Sequence, residues 1–246
     1  MNNIGILYFH QGWTDIINCL ALINYYCNKY NKIYLIMRDD ANELINFYRN
    51  NINNLDILYE EKKNIDCNGI QFVINKYNNI DLQNCDFLGI GYHDNIRKDN
   101  YQSKFRYIDN CFVKGFYESY DIPYIEKINS FNIPRNYEVE EKIYSNFIKQ
   151  NGTEYILYHE VIENYDTNKK IVNLNQISNI YFDYIKVLEN ANEIHLLDSS
   201  WAAICYLLDA RYKFFYNKNI PIYLYTKRGY SQMFIEPVKL ENWIII

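Results

Sequence analysis

The sequence predicts an α/β protein of two Rossmann-like lobes facing a cleft, and three observations predict it. Short apolar runs alternate with segments whose apolar residues recur at helical spacing, the order that builds parallel sheets with right-handed crossovers. The alternation pauses over residues 121–135, which hold two of the four prolines, and then starts afresh. The chain has 246 residues, room for one large domain or two small ones, and at 49% hydrophobic it can build a real core. The lobes are expected over residues 1–135 and 136–246.

In the first lobe, Ile4–Phe9 reads as a buried strand followed by the polar loop His10-Gln11-Gly12-Trp13-Thr14-Asp15. Ile16, Leu20, Ile23 and Cys27 then recur at helical spacing and predict an amphipathic helix from Asp15. A strand over 33–37, a helix over 41–48 and a strand over 55–59 continue the pattern. Shorter strands are predicted over 71–74 and 86–91, and a helix over 107–117.

In the second lobe a charged helix is predicted over 136–150, with Asn151-Gly152 as its stop. Strands are predicted over 155–159, 170–173, 193–197, 212–216 and 222–225, with a closing pairing segment at Asn242-Trp243-Ile244. Helices are predicted over 180–189 and 201–208, the latter capped by Asp198-Ser199-Ser200.

Composition narrows the function. A net charge of −5 with 22% charged residues gives no basic footprint for nucleic acid. The six cysteines form no C-x-x-C pair, so a zinc site is not expected and a reducing compartment fits. No signal peptide and no transmembrane run of roughly 20 apolar residues is evident, so a cytoplasmic protein is expected. The 27 tyrosines are spread along the chain and mark no single site. No feature specifies an oligomeric state.

Motif absences narrow it further. A G-x-G-x-x-G after the first strand is missing, which argues against a dinucleotide-dependent oxidoreductase. The G-x-x-x-x-G-K-[ST] phosphate loop is missing as well. Arg38-Asp39-Asp40 follows the second strand without the D-x-D spacing of a metal anchor. Neither a metal nor another cofactor is therefore expected.

Three constellations carry chemistry. The first is the loop after the first strand, at the edge where open α/β sheets bind ligands. There Gly12 permits a tight turn or close approach, and Trp13 is a sugar platform or a core ring. Asp15 is a helix cap or a general base, with His10 the rival base. The second is Asp198-Ser199-Ser200, a plain cap or a phosphate site at a helix start. The third is Lys227-Arg228, a solvated pair or the cations that receive a departing diphosphate. His159, at a strand end, is a phosphate donor or a structural histidine.

Three segments carry a resemblance. HQGWTDIINCLALINYY at 10–26 follows an H-G-x-G-D-x-I-x-C-N-G-L pattern. FYESYDIPYIEKINSFNIPR at 116–135 follows F-Y-x-x-x-G-I-P-F-x-x-R-x-x-x-F-x-I-x-R. NIYFDYIKVLENANEIHLLDSSW at 179–201 follows N-I-F-D-Y-x-x-x-I-x-x-A-x-x-I-H-x-I-D-S-S-F with one insertion. Together they resemble small glycosyltransferase-like proteins of phages, giant viruses and bacteria. The first and third are also similar to the G-D-x-L-x-T and D-S-x-x-x-H-x-A stretches of heptosyltransferases.

That resemblance implies a GT-B fold and metal-independent, inverting transfer from a nucleotide-diphosphate sugar to a glycan or other hydroxyl acceptor. It implies a hexosyl- or deoxyhexosyltransferase of glycan biosynthesis, in a host cytoplasm if viral. By the same comparison Asp15, with His10 second, is the base, and Gly12, Trp13 and Thr14 lie on the acceptor side. His159, Asp198, Ser199, Ser200, Lys227 and Arg228 fall on the donor side. Three positions depart from the pattern. Thr14 and Asp121 stand where the relatives carry glycine, and the loop after His159 lacks their arginine, leaving Lys169, Lys170, Lys227 or Arg228 for the diphosphate. The rival readings are an inactive sugar- or nucleotide-binding protein and a nucleotide-sugar epimerase.

Overall fold

The computed structural model describes residues 4–9, 12–49, 52–62, 75–77, 85–90, 106–109, 111–133, 135–160, 168–176, 181–226 and 236–246. The strand predicted over 71–74 lies outside them. The chain divides into two compact units, Met1–Asn132 and Ile133–Ile246, each α/β. Among the described residues no helix is long and apolar enough to cross a membrane.

Unit 1 contains β1 (Ile4–Phe9), α1 (Trp13–Cys27), β2 (Lys32–Arg38), α2 (Asn42–Arg49), β3 (Leu55–Glu60), β4 (Cys85–Ile90), α3 (Phe112–Glu118) and α4 (Glu126–Asn129). Its sheet is wholly parallel, in the order β3-β2-β1-β4. The central strand β1 is apolar on both faces, and Leu7, Tyr8 and Phe9 have no exposed surface.

The predicted amphipathic helix α1 is buried almost all round, from Ile16 to Ile23. The reason is a second cover on its outer side. The Tyr117 hydroxyl donates to the Asn18 carbonyl at 2.6 Å, and Asn24 Nδ2 donates to the Ser130 carbonyl at 3.0 Å. The stretch 121–132, predicted as a passage between lobes, is thus part of unit 1 and fastens α4 to α1. The helix predicted over 107–117 begins only at Phe112.

Asp121 stands where the pattern that the sequence resembles has glycine. Its φ is +59°, the left-handed region. Ile122 N bonds the Tyr117 carbonyl and Asp121 N bonds the Glu118 carbonyl, at 3.2 Å each, which closes α3 with a Schellman motif. Asp tolerates this conformation better than most residues, so the departure is conformationally mild.

Unit 2 contains α5 (Tyr137–Asn151), β5 (Tyr155–Tyr158), β6 (Lys170–Asn173), α6 (Ile185–Leu188), β7 (Glu193–Leu197), α7 (Ser200–Tyr212), α8 (Phe214–Asn217), β8 (Ile222–Tyr225) and β9 (Trp243–Ile245). Its sheet is also parallel, in the order β6-β5-β7-β8-β9. Ile194, Leu196, Ile222 and Leu224 are fully buried on one face. As predicted, Gly152 ends α5, at a φ of +78°. Arg135 anchors this unit's first helix: its guanidinium bonds Glu140 within α5 and Glu189 after α6, the latter at 2.6 Å.

Residues 212–216, predicted as a strand, instead end α7 at Tyr212, bend at Lys213 and open α8 at Phe214. The buried carboxylate of Asp209 decides this. Its Oδ1 accepts from the backbone N–H groups of Phe215 and Tyr216, at 3.0 Å each, and so caps α8. Its Oδ2 accepts from the Trp243 indole at 3.1 Å, which ties β9 to the same point. Lys213, at φ +55°, makes the bend between α7 and α8.

Two stability outcomes follow. Asp209→Ala strands two backbone donors and an indole, so urea unfolding should show a loss of about 3 kcal/mol. Asp121→Gly relieves the left-handed backbone and should be neutral to stabilising by up to about 1 kcal/mol. A clear destabilisation by Asp121→Gly would mean that its carboxylate has an additional role.

Candidate functional site

An open parallel sheet binds ligands beyond the carboxyl ends of its strands, where the strand order reverses. In unit 1 the chain runs β1 to β2 to β3 in one direction and places β4 on the other side of β1. The reversal therefore lies between β1 and β4, and the segment leaving β1 is the one that starts α1. In unit 2 it lies between β5 and β7. His159 leaves the first of these strands and Asp198 the second.

Gly12 is the N-cap of α1, with φ −69° and ψ 169°, extended backbone open to any residue. The tight turn expected of this glycine is not what it supplies. A Cβ placed on it would meet nothing within 4 Å, so it leaves open space at the helix start. Trp13, Thr14 and Asp15 form the first turn of α1 and are half-buried. Thr14 is helical, and no glycine is needed there for the backbone.

Asp15 makes no hydrogen bond or ion pair among the described residues. Burial of its carboxyl raises the pKa to about 6. Cys19, one turn on, is fully buried, and its thiol is pushed well above the ordinary value by desolvation first and by the Asp15 charge second. Asp15 thus holds or gives up a proton near neutrality. His10 lies outside the described residues.

In unit 2, His159 is buried, and its backbone N–H donates to the His195 carbonyl on the neighbouring strand at 2.9 Å. Glu160 follows at φ +61°, a left-handed non-glycine residue beside the switch point. Ser199 is the N-cap of α7, and its carbonyl accepts from Ala203 at 3.0 Å. Its hydroxyl does not cap the helix as expected. Ser199 Oγ is buried without a hydrogen-bond partner among the described residues. Ser200 bonds the phenol of Tyr181, whose ring packs edge-on against Trp201 at 4.6 Å. The first turn of α7 contains no acidic residue.

Topology removes two diphosphate candidates. Lys170 opens β6, and Lys169 pairs with Glu193 at the start of β7 at 3.6 Å. Both lie at the amino edge of the sheet, opposite His159 and Ser199. Lys227 and Arg228 follow β8 in the chain and lie outside the described residues.

The structure also reveals groups that the sequence reading passed over. Tyr181 holds Ser200, a contact with no local sequence signal. Arg38 and Glu60 are buried charged residues at the carboxyl ends of β2 and β3. Arg38 was visible in the sequence only as the start of a triplet lacking metal-anchor spacing.

No protein-family model matches the chain, and no curated protein sequence matches it. Solved structures do. The chain is similar to a glycosyl transferase family 9 protein from Veillonella parvula, with a TM-score of 0.61 at 10% identity. The match covers 100% of this chain and 87% of that one. E. coli heptosyltransferase WaaC with ADP overlaps at a TM-score of 0.45 and 9% identity, over 99% of this chain and 90% of that one. The family 9 likeness shows that the predicted α/β fold with parallel sheets, of the GT-B type, is the fold of this chain.

The raised Asp15 pKa has a signed consequence for stability. The folded state keeps the proton up to about pH 6, whereas an unfolded aspartate loses it near 3.9. Stability is therefore highest below the unfolded value and falls as pH rises towards 6. Asp15→Asn should be more stable than the wild type at pH 7.5 by about 3 kcal/mol, and equal to it below pH ~4. Denaturant unfolding at the two pH values reads this, and equal stabilities at pH 7.5 would contradict it.

Proposed function

We infer that the protein is a glycosyltransferase in which unit 2 holds a nucleotide-diphosphate sugar and unit 1 presents the acceptor hydroxyl to Asp15. One observation carries the assignment of roles: the carboxylate of Asp15 lies inside the first turn of α1, whereas the nearest carboxylate at α7, Asp198, lies before its N-cap. Asp15 occupies the first turn of α1, whereas the first turn of α7 has no acid and adds the buried Ser199 hydroxyl. A helix start attracts anions through its free N–H groups and dipole, and a carboxylate there repels them. The diphosphate therefore suits α7, and a base suits α1. The fold shared with a family 9 glycosyl transferase supports the same reading.

In this reading Asp15 accepts the proton of the acceptor hydroxyl as the oxygen attacks the anomeric carbon. The bond from that carbon to the diphosphate oxygen breaks, and the diphosphate leaves with the electron pair. Backbone N–H groups at the start of α7, the Ser199 hydroxyl and the Lys227 and Arg228 cations receive its charge. A base positioned behind the departing group gives inversion. A hexose or deoxyhexose is the sugar in this reading, and the enzyme works without a metal in a cytoplasmic setting.

The test is a thermal-shift panel of UDP-, GDP-, dTDP- and CMP-sugars, followed by transfer assays with the donor that binds. A ligand bound only by the folded state raises the melting temperature. At least one nucleotide-diphosphate sugar should do so, and Ser199→Ala should reduce the shift. Asp15→Asn should bind that donor yet lose roughly 10²–10⁴-fold in transfer rate. For the wild type, kcat/KM should fall as pH drops through about 6, where Asp15 takes up its proton. Binding without turnover would favour a sugar-nucleotide-binding protein. A flat panel would sink the transferase reading.

A further inference from the structure

Asn18 lies in α1 one turn beyond Asp15, at the spacing that makes two side chains neighbours on a helix surface. Only 5% of its surface is exposed, and Ile17 and Cys19, which flank it in the chain, are fully buried. Its side-chain Oδ1 is buried and has no hydrogen-bond partner. The Tyr117 hydroxyl bonds the backbone carbonyl of Asn18 at 2.6 Å and leaves the amide unengaged. Asp15 and Asn18 are thus neighbouring polar side chains that bond neither each other nor any other group among the described residues. One turn before Asp15, Gly12 leaves open space, since a Cβ there would meet nothing within 4 Å.

An asparagine that serves its own helix bonds the backbone or a neighbouring side chain. The Asn18 amide does neither. A buried amide whose hydrogen-bonding capacity the protein leaves unused points to a partner from outside. No bond holds this amide, so it turns about its broad last torsion and offers either Oδ1 as an acceptor or Nδ2 as a donor. Both ends match a hydroxyl, which donates and accepts. Burial keeps bulk water from competing for the same bond. The two side chains start roughly 5–6 Å apart at their Cβ atoms and converge on one face of the helix. That separation suits two adjacent hydroxyls of one sugar ring better than a lone hydroxyl.

We propose that Asn18 determines acceptor specificity: its amide holds the hydroxyl next to the one that Asp15 deprotonates. The acceptor is then a sugar with two adjacent unsubstituted hydroxyls. The proposal rests on the reading that Asp15 takes the acceptor's proton. Asn18 moves no proton itself. It fixes which hydroxyl of the ring faces Asp15, and so which position is glycosylated. A site built to bond a hydroxyl discriminates against the analogue that lacks it, because the buried amide is then left unpaired.

The test offers the methyl glycosides of glucose, galactose and mannose, with their monodeoxy analogues, as acceptors to the full chain. The donor is the nucleotide sugar that gives the largest melting shift. Wild-type protein should transfer to at least one parent glycoside. Deleting the hydroxyl beside the accepting one should lower kcat/KM about tenfold. Asn18→Leu is close in size and apolar, so it should melt no lower than the wild type and keep the donor-induced shift. It should lose about tenfold in kcat/KM on the parent glycoside and nothing further on the deoxy analogue, since both changes remove one bond. Asn18→Ala should show the same non-additivity if leucine disturbs the helix. A folded variant that transfers to the parent at the wild-type rate overturns the proposal. So do additive losses, which would place the effect in the fold, or a donor shift with no transfer to any glycoside. Absence of any donor shift instead strikes the transferase reading itself.

Discussion

Parallel pairing forces every strand of a unit to end on the same edge, and the rest of this structure depends on that constraint. The strand order of each unit reverses once, between β1 and β4 in unit 1 and between β5 and β7 in unit 2. At a reversal the crossovers leave in opposite directions and cannot cover the strand ends between them. Gly12 and Asp15 reach that place in unit 1, and His159 and Ser199 reach it in unit 2. Neither group is assembled by local sequence. Each is gathered by the order in which hydrophobic strands are laid down. The same rule excludes Lys169 and Lys170, which lie at the opposite edge although they are close to His159 in the chain.

The site in unit 1 opposes the stability of its own helix. α1 is buried on its sheet side and again beneath α3 and α4, so its first turn is drawn into an apolar setting. Asp15 has no compensating cation or hydrogen bond among the described residues. Burial keeps its proton on to about pH 6, so the ionised form that prevails above that pH is held at a cost to the fold. A structural N-cap would show the reverse, a carboxylate bonded to backbone N–H groups and stabilised by them.

Much of the fold could be read from period and punctuation. The strands over 170–173, 193–197 and 222–225 and the helix stop at Gly152 coincide with expectation, because buried alternation and left-handed caps are local signals. The failure at 212–216 had a non-local cause. Aromatic-rich runs favour strands. Here the run Tyr212-Lys213-Phe214-Phe215-Tyr216 is turned helical by the Asp209 carboxylate, which also holds Trp243 from far along the chain. The Ser199 cap failed for a related reason. Its residue type predicts a side-chain cap, but the observed geometry leaves the hydroxyl buried and uncommitted. Arg38 and Glu60 escaped notice because only strand register brings them side by side.

The two positions at which the sequence departs from the glycine of the pattern it resembles differ in physical kind. Asp121 replaces a glycine where the backbone is left-handed, at φ +59°, and Asp accommodates that conformation at modest cost. Thr14 replaces a glycine inside a helical turn, where glycine is the weaker helix former. Neither substitution removes a group that could bind or react. The start of α7 in unit 2 carries no acid in its first turn and leaves its backbone N–H groups open to an anion. In unit 2, Lys169 and Lys170 lie at the edge opposite that helix start, and Lys227-Arg228, which follow β8 in the chain, lie outside the described residues.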